Sequence, residues 1–194
     1  MEEFDADLHI HSPHSIGTSP QMTIPNISQT ARMKGIGIVG TGDATQPAWL
    51  AHLEKTLVSG NGSLSSGGVH FILSVEIEDR DSVHHLLLLP HFEAVRMLRQ
   101  ELREHSPNLD HKWGGRPRVD LNGEELAKIA RDCDALIGPA HAFTPFRSIF
   151  REGRYDSLSA CYGAETRHVY FVELGLSADT EIADHIPCLL YTSD

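Results

Sequence analysis

The sequence DADLHIH at residues 5–11 predicts a β-strand that ends in two histidines. Apolar and polar residues alternate in it, as they do in a β-strand whose two faces have different surroundings. His9 and His11 therefore share one face of the strand, while Leu8 and Ile10 pack on the other. Imidazole is the commonest metal ligand in proteins, so a strand that ends on this pair predicts a metal site at its carboxyl end.

Similar apolar runs follow along the chain, and segments with helical periodicity separate most of them. This order predicts an α/β protein, because alternating strands and helices form layered or barrel folds with parallel strands. The predicted strands are residues 5–11, 36–40, 71–76, 85–89, 135–140, 169–173 and 189–192. The predicted helices are residues 25–34, 46–57, 92–104, 123–132 and 178–185. Residues 59–68 are rich in Ser and Gly and are interpreted as a flexible connection.

Most of the predicted strands end at a side chain that binds metals or transfers protons. These side chains are His11, Asp43, Glu76, His141, Glu173 and Asp194. In a parallel barrel the carboxyl ends of the strands meet on one face, so the sequence predicts a polynuclear metal centre there. A carboxylate between two imidazole-rich half-sites can bridge two ions, which together activate water for the hydrolysis of a phosphoester.

A hairpin is expected between Glu76 and His84, since a short polar turn separates them. His84 and His85 compete for one role in the centre, and strand parity does not decide between them. The one that loses is expected to be a solvated neighbour or to donate a hydrogen bond to a ligand. Glu173 is expected to orient a ligand rather than to bind metal itself.

Composition limits the functions open to this chain of 194 residues. Its 16 Lys and Arg stand against 27 Asp and Glu, and a net charge of -11 excludes a general binder of phosphate backbones. Three cysteines without metal or disulfide spacing favour a reducing compartment, so we expect a cytoplasmic protein. Without an apolar run of about 18 residues, we expect no membrane partner. We expect residues 1–194 to form a single domain.

Six motifs in order resemble the PHP (polymerase and histidinol phosphatase) superfamily, and more narrowly its endonuclease Q-like branch. They are DLHIHS at 7–12, GTGD at 40–43, the pair Glu76 and His84, PAHAFTPF at 139–146, VELGLSAD at 172–179 and TSD at 192–194. The resemblance implies a distorted, TIM-like (β/α)7 barrel with two to three divalent ions, usually Zn or Mn. Because the family motif continues beyond Asp194, we expect an N-terminal fragment, incomplete at its C-terminus and truncated at the end of the last strand.

The resemblance also implies a ligand set. His9 and His11, with Asp194, match the ligands of the first ion, and Glu76 matches the carboxylate that bridges to the second. His84 and His141 match the histidines of the second ion, and Asp43 matches a ligand of the third. Glu76, Asp194 and Asp43 are therefore the expected catalytic residues as well.

The predicted metal centre and the resemblance are consistent with three functions. The leading one is a metal-dependent phosphodiesterase that nicks DNA on the 5′ side of deaminated bases through a metal-activated water. The alternatives are a phosphatase that acts on a small phosphorylated metabolite and an inactive PHP module that serves as a scaffold. Trp113 can stack on a base, and Arg116 and Arg118 can meet phosphates, although a buried aromatic and a solvated loop are the simpler interpretations.

Overall fold

The computed structural model of the protein describes residues 4–60, 62–186 and 189. Seven strands and six α-helices confirm the α/β class. The strands are β1 (Asp5–Asp7), β2 (Ile36–Gly40), β3 (Val58–Gly60), β4 (Ser63–Ser66), β5 (Val69–Glu78), β6 (His84–Leu89) and β7 (Leu136–Pro139). The helices are α1 (Ile24–Lys34), α2 (Pro47–Thr56), α3 (Phe92–Leu102), α4 (Gly123–Asp132), α5 (Leu158–Tyr162) and α6 (Thr180–Asp184).

The sheet is mixed rather than wholly parallel. β1, β2 and β5 run parallel to one another, whereas β6 is antiparallel to both of its neighbours, β5 and β7. The first residue of β6 therefore lies at the same end of the sheet as the last residues of β5 and β7. The hairpin expected after Glu76 is present, with Glu78 opposite His84 in the register.

The Ser- and Gly-rich residues 59–68 are not a flexible connection, and that interpretation is wrong. β3 and β4 lie there as an antiparallel pair, and β4 continues the sheet along one edge of β5. Leu64 is buried and lies opposite Phe71 of β5. One apolar side chain and an open strand edge thus order a segment whose composition alone favours a loop.

Two of the predicted strands differ in the structure. The first is shorter than expected and ends at Asp7. Residues 169–173 form one bridge, Val169 to Ile137, and a hydrogen bond from Glu173 N to Pro139 O of 3.1 Å, so they lie beside β7 without forming a regular strand. Leu189 is described, but the other residues of the predicted strand 189–192 lie outside the described part of the chain. Within that part, no pairing closes the barrel between β1 and β7.

The helices pack on the sheet through conventional amphipathic faces. In α4 the buried residues Leu126, Ala127 and Ala130 lie on one side, as a helix on a core requires. Its start is a capping box, in which the Asn122 side chain accepts from Glu125 N and the Glu125 carboxylate accepts from Asn122 N. Across the described residues, no helix is both long and apolar enough for a bilayer crossing.

Candidate metal centre

The centre is built around one buried carboxylate at the end of β5. Glu76 is only 2% exposed, and imidazoles from three separate parts of the chain surround it. Its Oε1 lies 2.8 Å from His84 Nδ1, 2.9 Å from His141 Nε2 and 3.6 Å from His9 Nε2, and its Oε2 lies 3.3 Å from His11 Nε2. The structure therefore brings four of the predicted ligands, all histidines, together around a fifth, Glu76.

The second nitrogen of each imidazole is held by another side chain. His9 Nδ1 lies 2.7 Å from Glu173 Oε2, and His11 Nδ1 lies 3.0 Å from Asp43 Oδ1. His84 Nε2 lies 3.3 Å from Glu78 Oε2, and His141 Nδ1 lies 3.2 Å from Thr144 Oγ1. Metal-binding histidines characteristically donate their second ring N–H to such a partner, which fixes the tautomer and leaves the first nitrogen free to coordinate.

Two glycines allow the GTGD loop to approach the histidine-bearing segment. A Cβ atom at Gly42 would lie 2.0 Å from Ile10 O, and one at Gly40 would lie 2.1 Å from Leu8 O. Gly42 also has a φ of +60°, which a side chain disfavours. This close backbone contact brings Asp43 to His11, which explains the glycines on both sides of Thr41.

Asp43 is fully buried behind His11 and has a positive φ of 50°. Its Oδ2 accepts hydrogen bonds from Ser12 N at 2.7 Å, Ser12 Oγ at 2.6 Å and Ser15 Oγ at 2.9 Å. The buried Trp49 donates from Nε1 to Gly42 O at 2.8 Å and so holds the loop in place. Asp43 thus orients His11, and its assignment to a third ion stays a prediction.

The choice between the adjacent histidines of β6 follows from their opposite faces. His84 faces Glu76, whereas His85 points into the core and is 0% exposed. His85 Nε2 lies 3.0 Å from Asp79 Oδ2 and its Nδ1 lies 2.8 Å from the Tyr162 hydroxyl. Both alternatives for this histidine are therefore wrong, because His85 is buried away from the centre and contacts Asp79 and Tyr162, which are not predicted ligands.

The electrostatics of the cluster favour positive charge next to Glu76. Burial alone would lower the pKa of His9, but its hydrogen bonds to Glu173 and Glu76 outweigh burial and raise that pKa to about 10. Burial likewise opposes protonation of His11, yet Asp43 and Glu76 raise its pKa to about 9. The surrounding imidazoles hold the pKa of Glu76 far below its ordinary value despite burial.

The donor atoms fit divalent metal ions. They form two groups, His9 with His11 and Glu76, and Glu76 with His84 and His141, and the ligand atoms of each group lie within 4.8 Å of one another. Glu76 is common to both groups, as a bridging carboxylate would be. Imidazole and carboxylate donors suit Zn, Mn and Fe, so the set accepts several metals.

The remaining site residues are Glu173 and Asp194. Glu173 accepts from His9 and also from His141 N at 2.8 Å, so it orients both half-sites, in agreement with its expected role. Asp194, the expected partner of His9 and His11, lies outside the described residues.

The sequence reasoning missed Glu78, Ser12, Ser15 and Thr144, which hold the candidate ligands or their partners. One signal was available, since Glu78 is two residues from Glu76 and shares its face of β5. The hydroxyl residues gave no such signal, because Ser and Thr are common in any loop.

Comparison with known proteins identifies proteins that are similar to this chain in sequence and structure. No family model matches the chain. It is 43% identical over 154 residues to the uncharacterized protein MJ0043 of Methanocaldococcus jannaschii, covering 79% of this chain and 18% of that protein. The crystal structure of the lesion-specific endonuclease PfuEndoQ from Pyrococcus furiosus superposes with a TM-score of 0.87 at 45% identity, covering 93% of this chain and 44% of that one.

A second crystal structure, endonuclease Q in complex with a 27-mer duplex carrying an abasic lesion at the active site, superposes with a TM-score of 0.86 at 45% identity. It covers 93% of this chain and 45% of that one. The chain therefore spans less than half the length of each of these three relatives.

Proposed function

We propose that this chain belongs to the endonuclease Q-like branch of the PHP superfamily and that it is a metal-dependent nuclease that nicks DNA on the 5′ side of deaminated bases. The observation that carries the proposal is the arrangement of the four imidazoles. Each directs one nitrogen at Glu76 while a second side chain engages the other nitrogen. Surface histidines have no reason to share such an arrangement, whereas ligands of neighbouring ions require it.

In the proposed centre, His9, His11 and Glu76 would hold one divalent ion, and Glu76, His84 and His141 would hold the other. Asp194 would complete the first set, and Asp43 would contribute to a third ion. Bound ions would supply Lewis-acid charge to the phosphoester and make water a better nucleophile near neutral pH. The resemblance to the PHP superfamily implies Zn or Mn, and the mixed imidazole and carboxylate donors accept both.

The side chains around the ligands prepare them for this role. Glu173 accepts the Nδ1 proton of His9, and Asp43 accepts the Nδ1 proton of His11, so both histidines present Nε2 toward Glu76. With pKa values of about 10 and about 9, both are protonated at neutral pH when no metal is bound. Loading must therefore release protons from Nε2, and affinity for metal should rise with pH.

The choice of DNA as substrate is supported by the relatives, since endonuclease Q was crystallised with a lesion-containing duplex. The 45% identity extends over 93% of this chain. A phosphatase for small metabolites could use the same ions, but no observation in the structure favours it over a nuclease.

The test is a nicking assay with the protein expressed from its complete gene and loaded with Zn or Mn. Duplexes with one uracil or one hypoxanthine should be cut on the 5′ side of that base, and an unmodified duplex should stay intact. Glu76→Gln should lose the activity, whereas His70→Ala, which removes an exposed imidazole on β5, should keep it. Phosphate release from a small phosphoester without nicking would favour the phosphatase, and metal binding without either product would favour the scaffold.

A further inference from the structure

A pocket of about 280 Å³ lies directly beside the candidate metal centre, and its polar lining is dominated by arginine. Arg116, Arg118 and Arg147 line it together with Trp113 and the carboxylate of Glu78. This concentration of cations stands out in a chain with a net charge of -11. The pocket is therefore the place beside the centre where an anion would be attracted.

Backbone hydrogen bonds to the end of β5 position two of these arginines. Glu78 N donates to Pro117 O at 2.9 Å, and Val119 N donates to Glu78 O at 2.9 Å, so this segment extends alongside the end of β5. Pro117 and Val119 are buried, while Arg116 and Arg118 alternate with them and project on the opposite side. The pairing thus fixes both arginines next to the centre although they belong to a long loop.

The three arginines differ in whether an acidic side chain pairs with them. Arg116 binds Glu76, and its Nη2 lies 3.4 Å from His11 Nε2, so it occupies the side of the carboxylate that faces the first group of donors. Arg147 binds Glu78. In the described part of the chain, no acidic side chain pairs with the guanidinium of Arg118, which is exposed.

We propose that this pocket binds a backbone phosphate of the DNA strand next to the phosphodiester that is cut, through Arg116 and Arg118. A cation bound at Glu76 would compete with the Arg116 guanidinium for Oε2 and so leave it free for an anion. Guanidinium forks match phosphate oxygens in a bidentate manner, and Trp113, which is 46% exposed, supplies an apolar wall for the adjoining nucleotide. This inference rests on the proposed nuclease function.

The experiment compares Arg118→Ala with Arg32→Ala in the protein expressed from its complete gene. Arg32 is an exposed arginine on α1 outside the pocket, so its removal changes the net charge equally. For nicking of a uracil-containing duplex, Arg118→Ala should raise KM several-fold with little change in kcat. It should also reduce the slope of log KM against log salt by about 0.9, the value for one phosphate contact. Arg32→Ala should change neither, and the metal content of both variants should equal that of the native protein.

A binding measurement separates failure of this inference from failure of the nuclease proposal. Fluorescence anisotropy of a labelled duplex in the presence of EDTA needs no catalysis and still reports the contact of Arg118. Weaker binding by Arg118→Ala without any nicking by the native protein would keep the phosphate site and reject the nuclease. Nicking and binding that are the same in Arg118→Ala and Arg32→Ala would overturn the phosphate site. Binding of inorganic phosphate in the pocket without any contribution of Arg118 to DNA binding would also overturn it.

Discussion

Replacing Glu173 by Ala should weaken metal binding without removing a ligand. The Glu173 carboxylate accepts hydrogen bonds from His9 Nδ1 at 2.7 Å and from His141 N at 2.8 Å, so it orients one residue of each half-site. Loss of such a partner commonly lowers metal affinity 10- to 100-fold. This corresponds to about 1.4–2.7 kcal/mol. The His9 half-site should suffer more, because its contact orients the imidazole itself rather than the backbone.

The conservative variant Glu173→Gln separates geometry from charge. Its amide oxygen can take the position of Oε2 and keep both hydrogen bonds, so the loss of affinity should be smaller than for Glu173→Ala. Stepwise Zn titration against a chromophoric chelator measures both variants, with Glu152→Ala as a control that removes an exposed carboxylate elsewhere. The reasoning fails if Glu173→Ala binds both ions as the native protein does. It also fails if one ion is lost at every metal concentration, because Glu173 would then be a ligand.

Three further outcomes are expected. Tyr162→Phe should destabilise the fold by about 1–3 kcal/mol in urea denaturation, because it leaves the buried Nδ1 of His85 without its partner. In metal-free protein, the raised pKa values of His9, about 10, and His11, about 9, stabilise the fold fully below their ordinary value of 6.5. The melting temperature should therefore fall as pH rises from about 6.5 to the folded-state pKa values of about 9 and about 10, and a flat profile would contradict the pairing. Gly42→Ala should lower the free energy of unfolding by more than about 1 kcal/mol and reduce metal content, because the new Cβ would lie 2.0 Å from Ile10 O at a residue with positive φ. Native-like melting and metal content in this variant would refute this prediction.

The parts of the site that the sequence predicts are those set by local geometry. Alternation along the predicted strand places His9 and His11 on one face, and both approach Glu76 although the observed strand ends at Asp7. A short turn brings Glu76 and His84 together, because two strands joined by so few residues pair as a hairpin. These relations depend on neighbours in the chain and need no knowledge of the rest of the fold.

The parts that the sequence does not predict depend on tertiary pairing. Parity could not choose between His84 and His85, because the choice depends on where the turn ends and on a buried partner, Tyr162, that is 77 residues away. β3 and β4 exist because an edge of β5 is available to pair with, which composition does not report. The approach of Arg116 to Glu76 likewise requires the loop to pair with the end of β5.

The number of ions bound per chain tests whether Glu76 joins two metal sites. Elemental analysis should be performed on the protein expressed from its complete gene after loading with Zn or Mn, beside the variants Glu76→Gln, His9→Ala and His141→Ala. The native protein should bind at least two ions, and each histidine variant should selectively lose a different one. Glu76→Gln should bind both ions more weakly. A folded native protein without bound metal, or a Glu76→Gln variant that keeps both ions, would contradict these predictions.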